Sequence, residues 1–145
     1  MKIPEYINRE EVRRVCHDLK FRDWTQLKRA KVLPKEAKVI LAQVNTEKMK
    51  IDPEEFRKGL EVELEHGIRF QDANVTNNHP ILTGMIVLAH LKESLDYYKL
   101  LEVAELEGDL LKAVASGSME KTRKEYKKLA EAKIVLAKSE AARVR

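Results

Sequence analysis

Cysteine is almost absent from this chain: the single thiol, Cys16, excludes an internal disulfide and any cysteine-rich zinc site. Long apolar runs are missing too. No stretch approaches the roughly 18 consecutive apolar residues that a bilayer-crossing helix needs, and the opening MKIPEYINREE lacks the apolar core of a secretory signal. There is no glycine-rich phosphate loop, no internal repeat, and no interleaving of aromatic and basic residues of the kind that reads bases. A cytoplasmic protein that makes no use of a membrane is therefore expected.

What the chain has is charge and apolar material in helical order. With 145 residues, 43% of them apolar, it is long enough for one domain with a real core and too short for two comfortable ones. The charged fraction of 36% exceeds the roughly 25% of an average domain and is dominated by Lys and Glu, a balance that suggests a thermophilic source. The net charge of +4 conceals a division along the chain. Residues 1–50 hold 13 basic and 7 acidic side chains, residues 51–119 hold 6 and 13, and residues 120–145 hold 9 and 4. Three of the four histidines, His66, His79 and His90, fall in that acidic centre. This is the distribution of a cation site, and equally that of two glutamate-rich helix faces.

Start signals and periodicity divide the chain into helices. Asn8 with Glu11 makes a capping box, after which Val12, Val15, Cys16 and Leu19 recur at helical spacing. FRDWTQLKRAKVL has no clean period, and Trp24 and Leu27 are expected to pack a turn onto the body. Pro34 opens a helix with Ala37, Ile40, Leu41 and Val44 inward, ending near Asn45; Thr46 to Ile51 reads as a linker. Asp52, Pro53 and Glu55 start a helix that runs to Gly67. The connection from Gly67 to His79 spans thirteen residues, against about two to eight in most helix pairs. Asn77, Asn78 and His79 precede Pro80 as capping candidates, so His79 is read as a cap or surface residue. Asn74-Val75-Thr76 matches a glycosylation acceptor that a cytosolic protein would never use. Gly84, in a helix interior, implies close approach of another helix backbone. The helix from Pro80 is expected to continue past Glu93 to near Gly108, with Leu95, Tyr98 and Leu101 or Leu106 packing. Ser116-Gly117-Ser118 is a flexible break, and residues 119–145 form one charged helix with a thin apolar line through Tyr126, Leu129, Ala130, Ala137 and Ala141. The expected fold is all-α: a single-domain irregular helical bundle with a long central helix hairpin, residues 1–118 as the helical domain and 119–145 as a charged C-terminal helix that needs a partner surface.

Chemistry concentrates in the central hairpin. Phe56, Gly59, Leu60, Glu63 and His66 share one helical stripe, so a carboxylate and an imidazole continue an apolar face. In ILTGMIVLAHL, from Ile81 to Leu91, only Thr83 and His90 are polar, and Glu93 follows His90 by three residues. Ionisable groups buried there need a partner, hydrogen bonds or a metal. Two imidazoles and two carboxylates, Glu63, His66, His90 and Glu93, suit Zn, Fe or Mn with water completing the coordination, with Asp96 and Tyr97 placed to orient the ligands. A ferritin-like dinuclear centre needs two Glu-x-x-His pairs and a glutamate from each of two further helices. Here one pair is reversed, and Glu36, Glu125 and Glu131 lie on no convincing inner face, so the expectation is a mononuclear site or one completed by a second subunit. The plainer reading is a structural polar network: His66 near a helix C-terminus is favourable in itself, Glu and His three apart can simply pair, and His90 can be a core histidine bonded to Glu63 or Tyr97.

VELEHG (Val62 to Gly67), NVTNN (Asn74 to Asn78), TGMIVLAHL (Thr83 to Leu91) and KESLDYY (Lys92 to Tyr98) resemble a family of small, functionally uncharacterised helical proteins from bacteria, archaea and phages. Its members share an EFRMGLEVELEHG-like helix, an NVTNDDP-like loop and TGKIALAHLNEFPDYY. The resemblance covers roughly residues 52–100 and places Glu63, His66, His90, Glu93, Asp96 and Tyr97 on shared positions. It implies that the Glu and His pairs belong to a recurring pattern; it implies no activity. Met85 stands where the family pattern has lysine and Leu95 where it has proline, so the helix is expected to continue here where relatives kink.

Other constellations are weaker. Cys16 beside His17 is read as a core thiol, because Cys16 lies on the apolar stripe and no third catalytic partner is apparent. The nine Lys and Arg residues of 120–145 could contact phosphates, yet four acidic residues interleave with them. Two functions follow: a small helical protein with a His/Glu metal site between two helices, or a non-enzymatic helical interaction module that uses its basic C-terminal helix for self-association, as a homo-oligomer, or for nucleic-acid contact.

Overall fold

The computed structural model describes residues 7–144, and among them every regular element is a helix. The fold is all-α, as expected. The chain forms two compact units, one ending at Lys92 and one beginning at Glu93; the second unit thus takes the helix after Glu93 together with the charged C-terminal helix.

The first unit holds α1 (Arg9–Asp18), α2 (Pro34–Val44), α3 (Pro53–Arg69) and α4 (Pro80–Glu93, its last residue lying past the division), with single 3-10 turns at Trp24–Gln26 and Gln71–Ala73. The start signals work as read. Asn8 Oδ1 accepts the Glu11 N–H at 2.9 Å, and Asp52 Oδ1 accepts that of Glu54 at 2.7 Å. Val12, Cys16, Trp24, Ala37, Ile40, Val44, Phe56, Leu60, Leu64, Val87 and Leu91 form the core. Gly84 is forced by a close approach, but of side chains and not of a helix backbone: an added Cβ would lie 2.3 Å from Ile40 Cγ2 and 3.5 Å from Phe56 Cζ. An alanine there would have to push α2 and α3 side chains aside in a close-packed core.

Glu36 corrects the expectation that it faces no interior. It is fully buried. Its Oε1 accepts from Arg22 Nε at 3.1 Å, while its Oε2 accepts from Arg22 Nη2 at 2.7 Å and from the Leu33 N–H at 2.9 Å. Burial pushes the carboxyl up, but the Arg22 guanidinium and the Leu33 amide outweigh it and hold the group below its ordinary 4.5. The irregular stretch before α2 is thereby tied to the first turn of α2.

The second unit is a helix hairpin of α5 (Tyr97–Ala115) and α6 (Met119–Arg143). The expected continuous helix from Pro80 to Gly108 is broken at residues 94–96, although Leu95 is no proline. Ser94 causes the break: its Oγ accepts the Asp96 N–H at 3.1 Å and its carbonyl accepts that of Tyr97 at 3.0 Å. Asp96 is buried, with its Oδ1 accepting Ser139 Oγ at 2.7 Å and lying 2.9 Å from Arg143 Nη2 and 3.3 Å from Lys99 Nζ. Helix α5 runs through Gly108 to Ala115, and the turn closes with Gly117 at φ 70° and Ser118 capping α6 through the Lys121 N–H. The expected apolar line of α6 splits: Leu129 and Ala132 are buried, whereas Tyr126, Ala130, Ala137 and Ala141 are exposed.

His79 is the cap of α4, and it is buried, not superficial. Its Nδ1 accepts the N–H groups of Ile81 at 3.2 Å and Leu82 at 3.3 Å, which requires the neutral ring. Burial lowers its pKa from 6.5; the nearby Glu11 opposes this and Arg14 reinforces it. As pH falls below the ordinary value the unfolded chain takes up a proton that the folded chain refuses, so stability declines until the lower folded pKa is passed. Glu36 loses its share only below its own ordinary 4.5, a separate window. His79→Asn keeps a side-chain acceptor at the cap without the titration. Its melting temperature is expected to fall less than that of the wild type between about pH 7 and pH 5, and equal slopes in thermal melts would contradict the role assigned to His79.

Candidate functional site

Three of the four expected ligands meet at one carboxylate. Glu63 projects from α3 at the edge of the stripe formed by Phe56, Leu60 and Leu64, and only 15% of its side chain is exposed. His90, one turn from the end of α4, places Nδ1 3.3 Å from Glu63 Oε1. His66, one turn on from Glu63 in α3, places Nδ1 3.9 Å from Oε2. His90 is 27% exposed and His66 56%, so the cluster grades from the covered carboxylate to solvent. The apolar stripe therefore does not continue through His66 as the periodicity suggests; it turns to Leu64 and Gly67.

This geometry has a definite chemistry. A carboxylate facing Nδ1 favours the proton on that nitrogen and fixes the orientation of the imidazole. Both imidazoles turn Nδ1 toward Glu63. Among the described residues no group of three or more His, Cys, Asp or Glu side chains is placed to hold a metal ion.

The remaining expected residues belong to the second unit, which begins at Glu93. Glu93 is exposed at the last position of α4. Asp96 belongs to the α5–α6 hairpin, where Ser139, Arg143 and Lys99 surround its Oδ1. Tyr97 stacks edge-on against Tyr98, with ring centroids 5.2 Å apart. Cys16 is a core thiol, and burial pushes its pKa up, away from the thiolate a nucleophile requires.

The loop before α4 is ordered by its asparagines. Asn74 Nδ2 donates to the Gly67 carbonyl at 3.0 Å and to Asn78 Oδ1 at 2.9 Å, and Asn77 and Asn78 adopt φ of 48° and 61°. Asparagine tolerates that left-handed conformation better than most residues. Gly67 is required here, because a Cβ would stand 2.1 Å from Asn78 Oδ1. Together with Arg9, Thr25 and Gln71 these residues line a polar recess of about 50 Å³, enough for a water or two.

The burial of Glu36 and of Asp96 is not evident from the sequence, although Asp96 was expected near the ligands. For Glu36 a signal existed: a glutamate two residues after a helix-opening proline stands at the third helical position, where it can accept a capping amide. For Asp96 the only local sign was an acidic residue ahead of two tyrosines.

No curated protein and no solved structure matches the chain. A family model described as "Protein of unknown function (DUF5661)" matches residues 12–107, two-thirds of its length. The chain belongs to this family of uncharacterised proteins.

Proposed function

We propose that this protein is a helical interaction module whose docking element is the α5–α6 hairpin. One observation carries the reading: the hairpin has a second row of side chains on each helix that its own two helices leave exposed. On α5, Leu100, Ala104, Glu107, Leu111 and Val114 follow one another at steps of four and three residues. On α6, Met119, Arg123, Tyr126, Ala130, Lys133 and Ala137 do the same. Leu100, Leu111, Val114, Met119 and Tyr126 are between 45% and 70% exposed. Glu107 Oε1 and Lys133 Nζ lie 2.8 Å apart, so the two rows run along the same side of the hairpin. Side chains at this spacing are the pattern by which one helix packs against another, and large apolar side chains exposed on one side of a hairpin mark an interaction surface.

The double variant Leu111→Glu, Tyr126→Glu tests the reading in dilute solution. Surface changes cost about 0.5 kcal/mol or less each, so the melting temperature should move by only a few degrees, roughly 4–8 °C per kcal/mol for a small domain. The wild-type chain should bind an apolar fluorescent dye that the variant does not. A fall of more than about 15 °C would mean that these side chains are internal packing, and the docking face would be lost.

The Glu63 cluster supports a second reading, a divalent cation such as Zn, Fe or Mn held by Glu63, His66 and His90 with water. It draws on two imidazoles within 3.9 Å of one carboxylate. It would require the rings to turn from their present pairing, since no three such groups now share a point. Elemental analysis after metal supplementation is expected to give one equivalent in the wild type and none in His90→Ala; the same trace content in both ends this reading.

A further inference from the structure

We infer that the occupant of the hairpin face is a second copy of this chain, set with α5 of one protomer over α6 of its partner and the twofold axis running along the helices. The inference rests on the docking reading above; it adds the identity and orientation of the partner.

Shape makes the face self-matching. A layer of two antiparallel helices, with a largely apolar row on α5 and on α6 a row of Met119, Tyr126, Ala130 and Ala137 interrupted by Arg123 and Lys133, gives when stacked on its own copy a four-helix arrangement in which both rows are covered. A twofold contact of this kind closes on itself and leaves no open edge.

Charge selects the orientation. Helix α5 carries four acidic and two basic side chains, and α6 carries four acidic and eight basic. Placing α5 on the partner's α5 would oppose like charges on both helices, whereas placing it on the partner's α6 opposes unlike ones. The central pair makes the same choice. Glu107 and Lys133 sit within the apolar rows and are each about half exposed, at 54% and 53%. An uncharged apolar partner would strip water from both and return nothing, and stripping charges without new partners is costly. A twofold axis along the helices preserves height, so the pair meets its own copy and the four side chains form a ring of alternating sign. The perpendicular twofold would set Glu107 toward the partner's Glu107.

An anionic polymer is the less suitable occupant. It would be drawn to α6, repelled by α5, and would leave Leu111 and Val114 in water.

Sedimentation equilibrium over a wide concentration range tests the proposal. The wild type is expected to reach twice its chain mass of 16.8 kDa, and Leu111→Glu to remain monomeric. Glu107→Lys alone makes the central pair all positive, and Lys133→Glu alone makes it all negative; each is expected to weaken self-association by roughly tenfold or more, as close interfacial charge pairs do. Mixing these two variants should restore association as a heterodimer, a result that an ion pair acting only within one chain would not produce. A wild type that stays monomeric, a dimer that survives Leu111→Glu, or single variants that do not complement each other would overturn the second-copy assignment. So would a hairpin that instead retains a DNA duplex at physiological salt. The docking reading would remain in those cases, since it stands on the dye and melting measurements.

Discussion

A carboxylate taken out of water costs several kcal/mol unless a cation and hydrogen-bond donors meet it, and each unit of this chain is assembled around one such group. Glu36 gathers Arg22 and the Leu33 amide, fixing the irregular stretch before α2 against the helix that follows. Asp96 gathers Ser139, Arg143 and Lys99, fixing the start of α5 to the end of α6. With Gly117 and Ser118 closing the other end, the hairpin is held at both extremities. Neither helix can then rotate about its axis without breaking a buried charge pair. This is why Leu129 and Ala132 face inward while Tyr126 and Ala130 remain outside. The exposure of Leu111, Val114 and Tyr126 is a consequence of that locked phase.

Much of the fold was legible because helix starts are local. Asn8, Pro34 and Asp52 each act within a few residues, and each opens a helix where its signal stands. The break at residues 94–96 was not legible. Apolar periodicity runs through it without a fault, and no proline or glycine marks it. Ser94 makes the turn with bonds to Asp96 and Tyr97, but what holds Asp96 buried there is a bond to a residue 43 positions away, a separation that no windowed pattern reaches. Glu36 was half visible for the same reason: its capping role is local, its arginine is fourteen residues back. In α6, periodicity ran Leu129 and Tyr126 into one line because a highly charged helix has too few apolar residues to reveal two faces.

The candidate site was legible in part. Spacing put Glu63 and His90 each on the inward face of its helix, with Glu63 one of two partners expected for His90, and they lie 3.3 Å apart. It placed His66 on the buried stripe, whereas that side chain reaches mainly into solvent. A residue at the edge of a stripe differs from one inside it by a rotation of a few tens of degrees, which composition does not encode. The result is one covered carboxylate serving two imidazoles, an arrangement that joins α3 to α4 whatever ligand it takes. The proposed function rests more on the hairpin, with its exposed apolar side chains and its helices of opposite net charge, than on the cluster, where two imidazoles share one carboxylate.

Hydrogen exchange at two protein concentrations, one well below and one well above the onset of self-association, tests the central claim most directly. Burial of the hairpin face against a second copy predicts slower exchange in peptides from α5 and α6 at the higher concentration, with exchange in residues 7–92 unchanged. Slowing confined to residues 7–92, or exchange that does not depend on concentration anywhere in the chain, would contradict it.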